Sequence, residues 1–175
     1  MPTFETIYHQ YFRFVWSSVR RFGVSTEAID DVVQEVFLVV HSKLHTVRDP
    51  SAMRSWIYGV VRRTVSGYRR ANKITGDSFA LHPPDQMVAS TEPSPLDRSE
   101  QRAKLELLST LLAGLSEPKR EVFILVELEE MSVPEVAEAL EIPLNTAYSR
   151  LRHARLEFEA ALSHARSQSS RRGVA

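Results

Sequence analysis

Asn145, Ser149, Arg152 and His153 fall on one side of a helical wheel, with Thr146, Tyr148, Arg150 and Arg155 beside them. Amides, hydroxyls and guanidinium groups are what hydrogen-bond to base edges and phosphates, and arginine can take both acceptors of a guanine at once. The opposite side carries Ala147, Leu151, Ala154 and Phe158, a narrow apolar face suited to packing on a neighbouring helix. A small inner face beneath a polar, basic outer face is what a helix lying in the DNA major groove requires. An ordinary helical hairpin with solvated charges has the same pattern, so the elements around it matter.

Those elements are legible. Ser132 and Glu135 form an S-x-x-E capping box, which starts a short helix at about Val133 with Val136, Ala137 and Leu140 inward. Glu141-Ile142-Pro143 ends it, because proline lacks the N–H that would continue the helix. The unit therefore reads as a helix-turn-helix. Charge supports a polyanion partner: seven acidic residues and no Lys or Arg lie between Glu121 and Ser149, whereas Ile142–Leu156 carries only Arg150, Arg152 and Arg155.

A second candidate surface lies on a helix expected from about Ser51 to Asn72, capped by Asp49 with Pro50 in its first turn. Arg54, Arg62, Arg63, Arg69, Arg70 and Lys73 decorate it, with no acid from Pro50 through Gly76. Trp56, Tyr58 and Tyr68 are interleaved. Cations that track phosphates beside rings that stack on bases suit a single strand. Trp56, Val60 and Val61 would equally serve as core.

A third surface lies upstream. A first helix from Phe4 to Phe22 should end at Gly23, and Ser25 should cap a second one. Ile29, Val32, Val33, Val36, Phe37 and Val40 give the second helix a continuous apolar face. Asp31, Gln34, Glu35 and Leu38 repeat the same spacing on another face, an acidic and amide ridge ending in a leucine. That ridge suits docking to a basic protein surface, or is a normal solvated face.

The whole chain narrows the possibilities. Its 175 residues carry zero formal net charge, no cysteine, and six scattered histidines without ligand spacing. Disulfides, thiolate zinc and cysteine nucleophiles are excluded, and neither a metal nor a cofactor is expected. No phosphate-cradling glycine loop or nucleophile elbow is present. Asp30, Asp31 and Glu35 could be imagined around Mg²⁺, but no companion ligand motif accompanies them, and no catalytic residue is expected. The amino terminus does not read as a signal peptide, and no apolar run approaches the roughly 20 residues that span a bilayer. A soluble, cytoplasmic protein is expected.

Residues 74–100 hold four prolines, five acids and one arginine, a linker composition. They separate 1–73, at +5, from 101–175, at −1, and are themselves at −4. The expectation is an all-α protein of two small helical domains, 1–73 and 101–165, on a flexible acidic tether, with a disordered tail over 166–175.

Together these pieces resemble a family. Asp30-Asp31-Val32-Val33-Gln34-Glu35-Val36-Phe37-Leu38 resembles the D-x-V-Q-E-x-F-L motif of bacterial extracytoplasmic-function (ECF) sigma factors of the sigma-70 family. Ser55-Trp56-Ile57-Tyr58 with Val61-Arg62 resembles their T-W-L-Y-x-x-A-R segment. Leu115-Ser116-Glu117-Pro118-Lys119-Arg120-Glu121-Val122-Phe123 is similar to L-P-x-x-x-R-E-V-F. Asn145-Thr146-Ala147-Tyr148-Ser149-Arg150-Leu151 with Ala154-Arg155 resembles the G-T-V-x-S-R-L…A-R recognition helix.

The resemblance implies a dissociable subunit that gives core RNA polymerase its promoter specificity. It implies that Asp31, Gln34, Glu35 and Leu38 dock on the polymerase clamp helices, with the polymerase flap a further contact. It implies that the loop from Arg48 to Met53 and the third helix (Arg54, Trp56, Tyr58, Arg62, Arg63, Arg69, Arg70, Lys73) capture the −10 element as a single strand. Asn145, Thr146, Tyr148, Ser149, Arg150, Arg152, His153 and Arg155 would read the −35 element. An anti-sigma partner is implied too. Two departures stand out: Arg63 and Gly67 occupy positions where the family usually has Asn and Asp, and Glu141 and Pro143 replace a frequent Gly and Ser. The alternative reading is a stand-alone helix-turn-helix regulator with an amino-terminal protein-interaction domain.

Overall fold

The computed structural model describes residues 3–73 and 95–172. Seven α-helices account for most of them, and no strand occurs among the described residues. Three come first. α1 spans Phe4–Arg21, α2 Ile29–Lys43 and α3 Met53–Ala71. Thr3 Oγ1 caps α1 by accepting from Thr6 N at 3.3 Å. Gly23 ends the turn after α1 with φ 71°, a conformation glycine adopts without steric cost.

Ser25 does not supply a side-chain cap. Its carbonyl instead accepts from Ala28 N and Ile29 N at 2.9 and 3.1 Å, so a preliminary turn delays α2 to Ile29. The six apolar residues expected inside α2 are all buried. Asp49 caps a 3₁₀ turn over Pro50–Ala52, accepting from Ser51 N at 2.9 Å, and this turn leads directly into α3.

The remaining helices are α4, Pro95–Ala113; α5, Glu117–Phe123; α6, Val133–Ala139; and α7, Leu144–Arg172. α5 runs on into a π-helical turn over Ile124–Leu128. Two expected boundaries need correction. α4 begins at Pro95, six residues inside the expected linker, because proline suits a first helical turn and good helix formers follow it. The rest of the expected linker, 74–94, lies outside the described residues. α7 runs to Arg172, so most of the expected disordered tail is helical; nothing before Gly173 breaks the helix that Ala160-Ala161-Leu162 propagates.

The two groups of helices pack against each other. Val61 and Val65 belong to the same continuous apolar core as Val122, Leu125, Val136, Ala139 and Leu140. A smaller core of Leu112, Leu115, Phe123, Ile124 and Ala154, with Leu108 and Phe158 against it, holds α4, α5 and α7 together. A tether alone would leave the units independent, but α3 and α6 are in direct contact.

Gly67 is a weak point of α3. A Cβ built there meets nothing within 4 Å. Gly67→Ala should therefore stabilise the protein by about 1 kcal/mol, since alanine loses less backbone freedom in a helix. Thermal unfolding by circular dichroism checks it, with an expected rise in Tm of about 2–4 °C.

Candidate nucleic-acid interface and docking surface

The helix-turn-helix is built as its residues suggest. The capping box closes both ways: Ser132 N donates to Glu135 Oε2 at 2.7 Å, and Glu135 N donates to Ser132 Oγ at 3.4 Å. α6 ends before proline is reached. Leu140 is its C-cap, and Glu141 turns the chain with φ 55°. That left-handed conformation explains a glycine at this position, and here a glutamate bears the strain. Pro143 opens the next helix, its carbonyl accepting from Thr146 N and Ala147 N at 2.9 and 3.1 Å.

On α7, Ala147, Leu151 and Ala154 are buried and Phe158 stacks on Phe123 with centroids 4.8 Å apart. Asn145, Tyr148, Ser149, Arg152 and His153 are exposed, while Thr146 and Arg150 are half-buried. Arg155 is exposed but engaged: its Nε donates to Glu127 Oε1 at 2.8 Å. The outer face therefore presents amide, hydroxyl, guanidinium and imidazole groups along one line, able to reach base edges and phosphates.

α3 divides its candidates. Arg48, Arg63, Arg70 and Lys73 are exposed, and Arg69 and Trp56 are half-buried. Met53 and Tyr58 are not on the surface, at 2% and 5% exposure. Met53 belongs to the core. The Tyr58 ring packs against Phe14 and Phe22, with centroids 6.0 and 6.1 Å away, and its Oη donates to Glu121 Oε1 at 3.1 Å. Neither side chain can stack on a base in this arrangement, because α3 turns that face toward α1 and the second unit. Burial, reinforced by the Glu121 charge, pushes the Tyr58 hydroxyl well above its ordinary pKa. Burial likewise raises the Glu121 carboxyl, with Arg62 opposing the shift.

Arg54, Arg62 and Arg63 also meet the second unit. Arg54 lies over the Phe14 ring at 4.8 Å and pairs with Glu129 at 3.3 Å. Arg62 Nε lies 3.1 Å from Glu121 Oε1, and Arg63 Nη1 lies 2.9 Å from Glu141 Oε1. Arg63 folds back over Gly59, where a Cβ would approach its Nη2 to 3.3 Å. The Arg63–Glu141 pair is exposed on both sides, so it holds the guanidinium only weakly. The glutamates were not among the sequence-derived candidates, nor was Arg21, which pairs with Glu129. Their signal was present: the acid-only run from Glu121 to Glu141 mirrors the acid-free run of α3.

The α2 ridge is open. Asp31, Gln34 and Glu35 are exposed, and Leu38 is 64% exposed despite its apolar side chain. Beside it, Phe4, Tyr8, Phe12, Trp16 and Phe37 line an open groove between α1 and α2. A large exposed leucine at the end of an acidic row, next to an aromatic groove, is a surface able to take a partner. Among the described residues no cluster suits a metal ion, and no helix is long and apolar enough to cross a membrane.

The family model for sigma-70 region 2 matches residues 7–74, and that for sigma-70 region 4 matches residues 105–158. The ferric citrate uptake sigma factor FecI of Escherichia coli K12 is 30% identical over 146 residues, covering 82% of each chain. The RNA polymerase sigma factor YlaC of Bacillus subtilis 168 is 27% identical over 165 residues, 94% of each chain. In fold, the chain is similar to the sigma factor RpoE of Bartonella quintana, solved in complex with the anti-sigma factor NepR. The TM-score is 0.66 at 18% identity, covering 91% of this chain and 96% of that one. These relatives are sigma factors, which are not enzymes. With both regional signatures in order and relatives matched along most of their length, the chain belongs to the ECF group of the sigma-70 family and directs promoter recognition and transcription initiation as an alternative sigma factor.

Proposed function

We propose a division of labour among the three surfaces. The α2 ridge of Asp31, Gln34, Glu35 and Leu38 docks on the polymerase clamp helices, with the polymerase flap a second contact. α3 and the loop before it take the −10 element as a single strand: Arg48, Trp56, Arg69, Arg70 and Lys73 from the outer side, with Arg54, Arg62 and Arg63 joining when released from the second unit. Met53 and Tyr58 act only as the packed base of that surface. The outer face of α7 reads the −35 element through Asn145, Thr146, Ser149, Arg152 and His153, while Tyr148, Arg150 and Arg155 hold phosphates. The two functional domains are 1–73 and 101–165, the second lengthened by α4 back to Pro95 and by α7 out to Arg172.

The observation that carries this reading is the coexistence, in one chain, of an exposed acidic ridge with its projecting leucine and two separate basic surfaces. Splitting recognition between two weak DNA contacts also fits a chain of zero net charge, since linked sites gain from effective concentration what each lacks alone. The chain works without a catalytic residue, metal or cofactor of its own, in the bacterial cytoplasm. The complex of its Bartonella quintana structural neighbour with NepR supports an anti-sigma partner here as well.

Run-off transcription with purified core polymerase across a promoter library tests the reading. Added chain should produce discrete transcripts from a subset of templates, and footprints of the holoenzyme should cover one asymmetric, bipartite site. Failure to stimulate any template overturns it; protection of an inverted repeat by the chain alone points instead to a stand-alone regulator.

A further inference from the structure

Arg155 is held by one edge of its guanidinium. Its Nε donates to Glu127 Oε1 at 2.8 Å, and its Nη2 lies 2.6 Å from the same oxygen. Among the described residues no other acceptor takes its remaining donors. Glu127 rises from the π-helical turn that follows α5, where Glu129 N reaches back to the Ile124 carbonyl at 3.0 Å. The backbone beneath Arg155 is fixed by other contacts. Ala154 is fully buried, Phe158 stacks on Phe123, and Lys119 Nζ donates to Glu157 Oε1 at 2.5 Å. Glu127 therefore adds a direction for one side chain rather than an anchor for the helix. The pair is open to water, with side chains 53% and 33% exposed, so it contributes little to stability.

We propose that Glu127 is a positioning residue for DNA binding: it fixes the Nε edge of Arg155 so that the Nη1 side is presented to a backbone phosphate. The inference rests on α7 being the duplex-reading helix. Arg155 lies three residues past Arg152, one turn beyond the groups aimed at base edges, where a phosphate contact sets the register of the helix rather than its sequence preference. The guanidinium carries donors on both edges, so an acceptor on one leaves the other for an oxyanion. A free arginine loses much side-chain freedom when it takes a phosphate, whereas one already held in its plane loses less. The Glu127 charge also repels DNA at longer range. Orientation and repulsion act with opposite sign, which makes them separable.

The test is fluorescence anisotropy of the full chain with a labelled mixed-sequence duplex, over a range of salt concentrations. Arg155→Ala should weaken binding about fivefold and lower the slope of log affinity against log salt by about 1. Glu127→Ala should weaken binding about threefold and lower the slope in the same direction, with a Tm within about 2 °C of wild type. Glu127→Gln keeps an acceptor oxygen and removes the charge, so it should bind at least as tightly as wild type. In the Arg155→Ala background, Glu127→Ala should change nothing further. Tighter binding by both Glu127 variants shows that the carboxylate only opposes DNA, and overturns the proposal. A Glu127→Ala loss that persists without Arg155 places the effect in the fold, and overturns it too. A loss in Arg155→Ala with none in Glu127→Ala overturns the positioning role alone, whereas unchanged binding by Arg155→Ala removes Arg155 from the DNA surface and with it the reading beneath the proposal.

Discussion

Arg120→Ala is expected to cost about 3 kcal/mol and to unfold the second unit before the first. Arg120 is 6% exposed, in a core where arginine is rarely found. Its Nε donates to the Leu112 carbonyl at 2.9 Å and its Nη2 to the Leu115 carbonyl at 2.8 Å. Those carbonyls belong to the end of α4 and the turn beyond it, where backbone donors thin out: Leu112 still accepts from Leu115 N at 3.0 Å, and Leu115 accepts from Arg120. The guanidinium fork therefore works as an internal C-cap tying α4 to α5. Alanine would leave the Leu115 carbonyl without its guanidinium donor, at about 1–3 kcal/mol, reduce the Leu112 carbonyl to the bond from Leu115 N at 3.0 Å, and open a cavity beside Leu112 and Leu115. Lysine should recover only part of the loss, because an ammonium lacks the planar fork.

The measurement is urea unfolding followed by two signals. Both tryptophans, Trp16 and Trp56, lie in the first unit, so their fluorescence reports α1–α3, whereas circular dichroism reports all helices. In Arg120→Ala the dichroism midpoint should fall well below the fluorescence midpoint. Coincident midpoints with a loss under about 1 kcal/mol would contradict the capping role.

Glu35→Lys combined with Leu38→Ala is expected to weaken binding to core polymerase about 100-fold, equivalent to ~2.7 kcal/mol. Leu38 is an exposed apolar side chain whose burial by a partner is worth roughly 1.5–3 kcal/mol, and reversing Glu35 would set like charge against a basic surface. Both side chains are exposed on α2, away from its buried face, so the fold should not change. Titration of labelled chain with core enzyme measures the affinity; gel shift on duplex DNA serves as the internal control and should be unaltered. Equal core affinity for variant and wild type would remove the ridge from the docking surface.

Local physics explains how much of this protein is readable from its residues. The apolar stripe of α2, the capping box at Ser132, the glycine turn at Gly23 and the inner face of α7 each depend on neighbours within a turn or two, and each appears where the pattern puts it. Boundaries were less accessible. Ser25 yields to its own carbonyl as the organiser of a turn, and the ends of α4 and α7 extend through segments whose composition suggested loops. Composition signals what a segment prefers alone, not what an adjoining helix propagates into it.

By itself the sequence determined five of the seven helices, α1–α3, α6 and α7, in outline, the exposed ridge on α2 and the division of α7 into a buried and a reading face, because those follow from periodicity within a single helix. Only the tertiary structure decided which cations of α3 face solvent. Tyr58, Arg54, Arg62 and Arg63 share the basic helix with Arg70 and Lys73, yet their partners, Glu121, Glu129 and Glu141, lie some 60–80 positions away along the chain. A helical wheel can say that two residues share a face, but what covers that face depends on packing between distant segments, which no local pattern encodes.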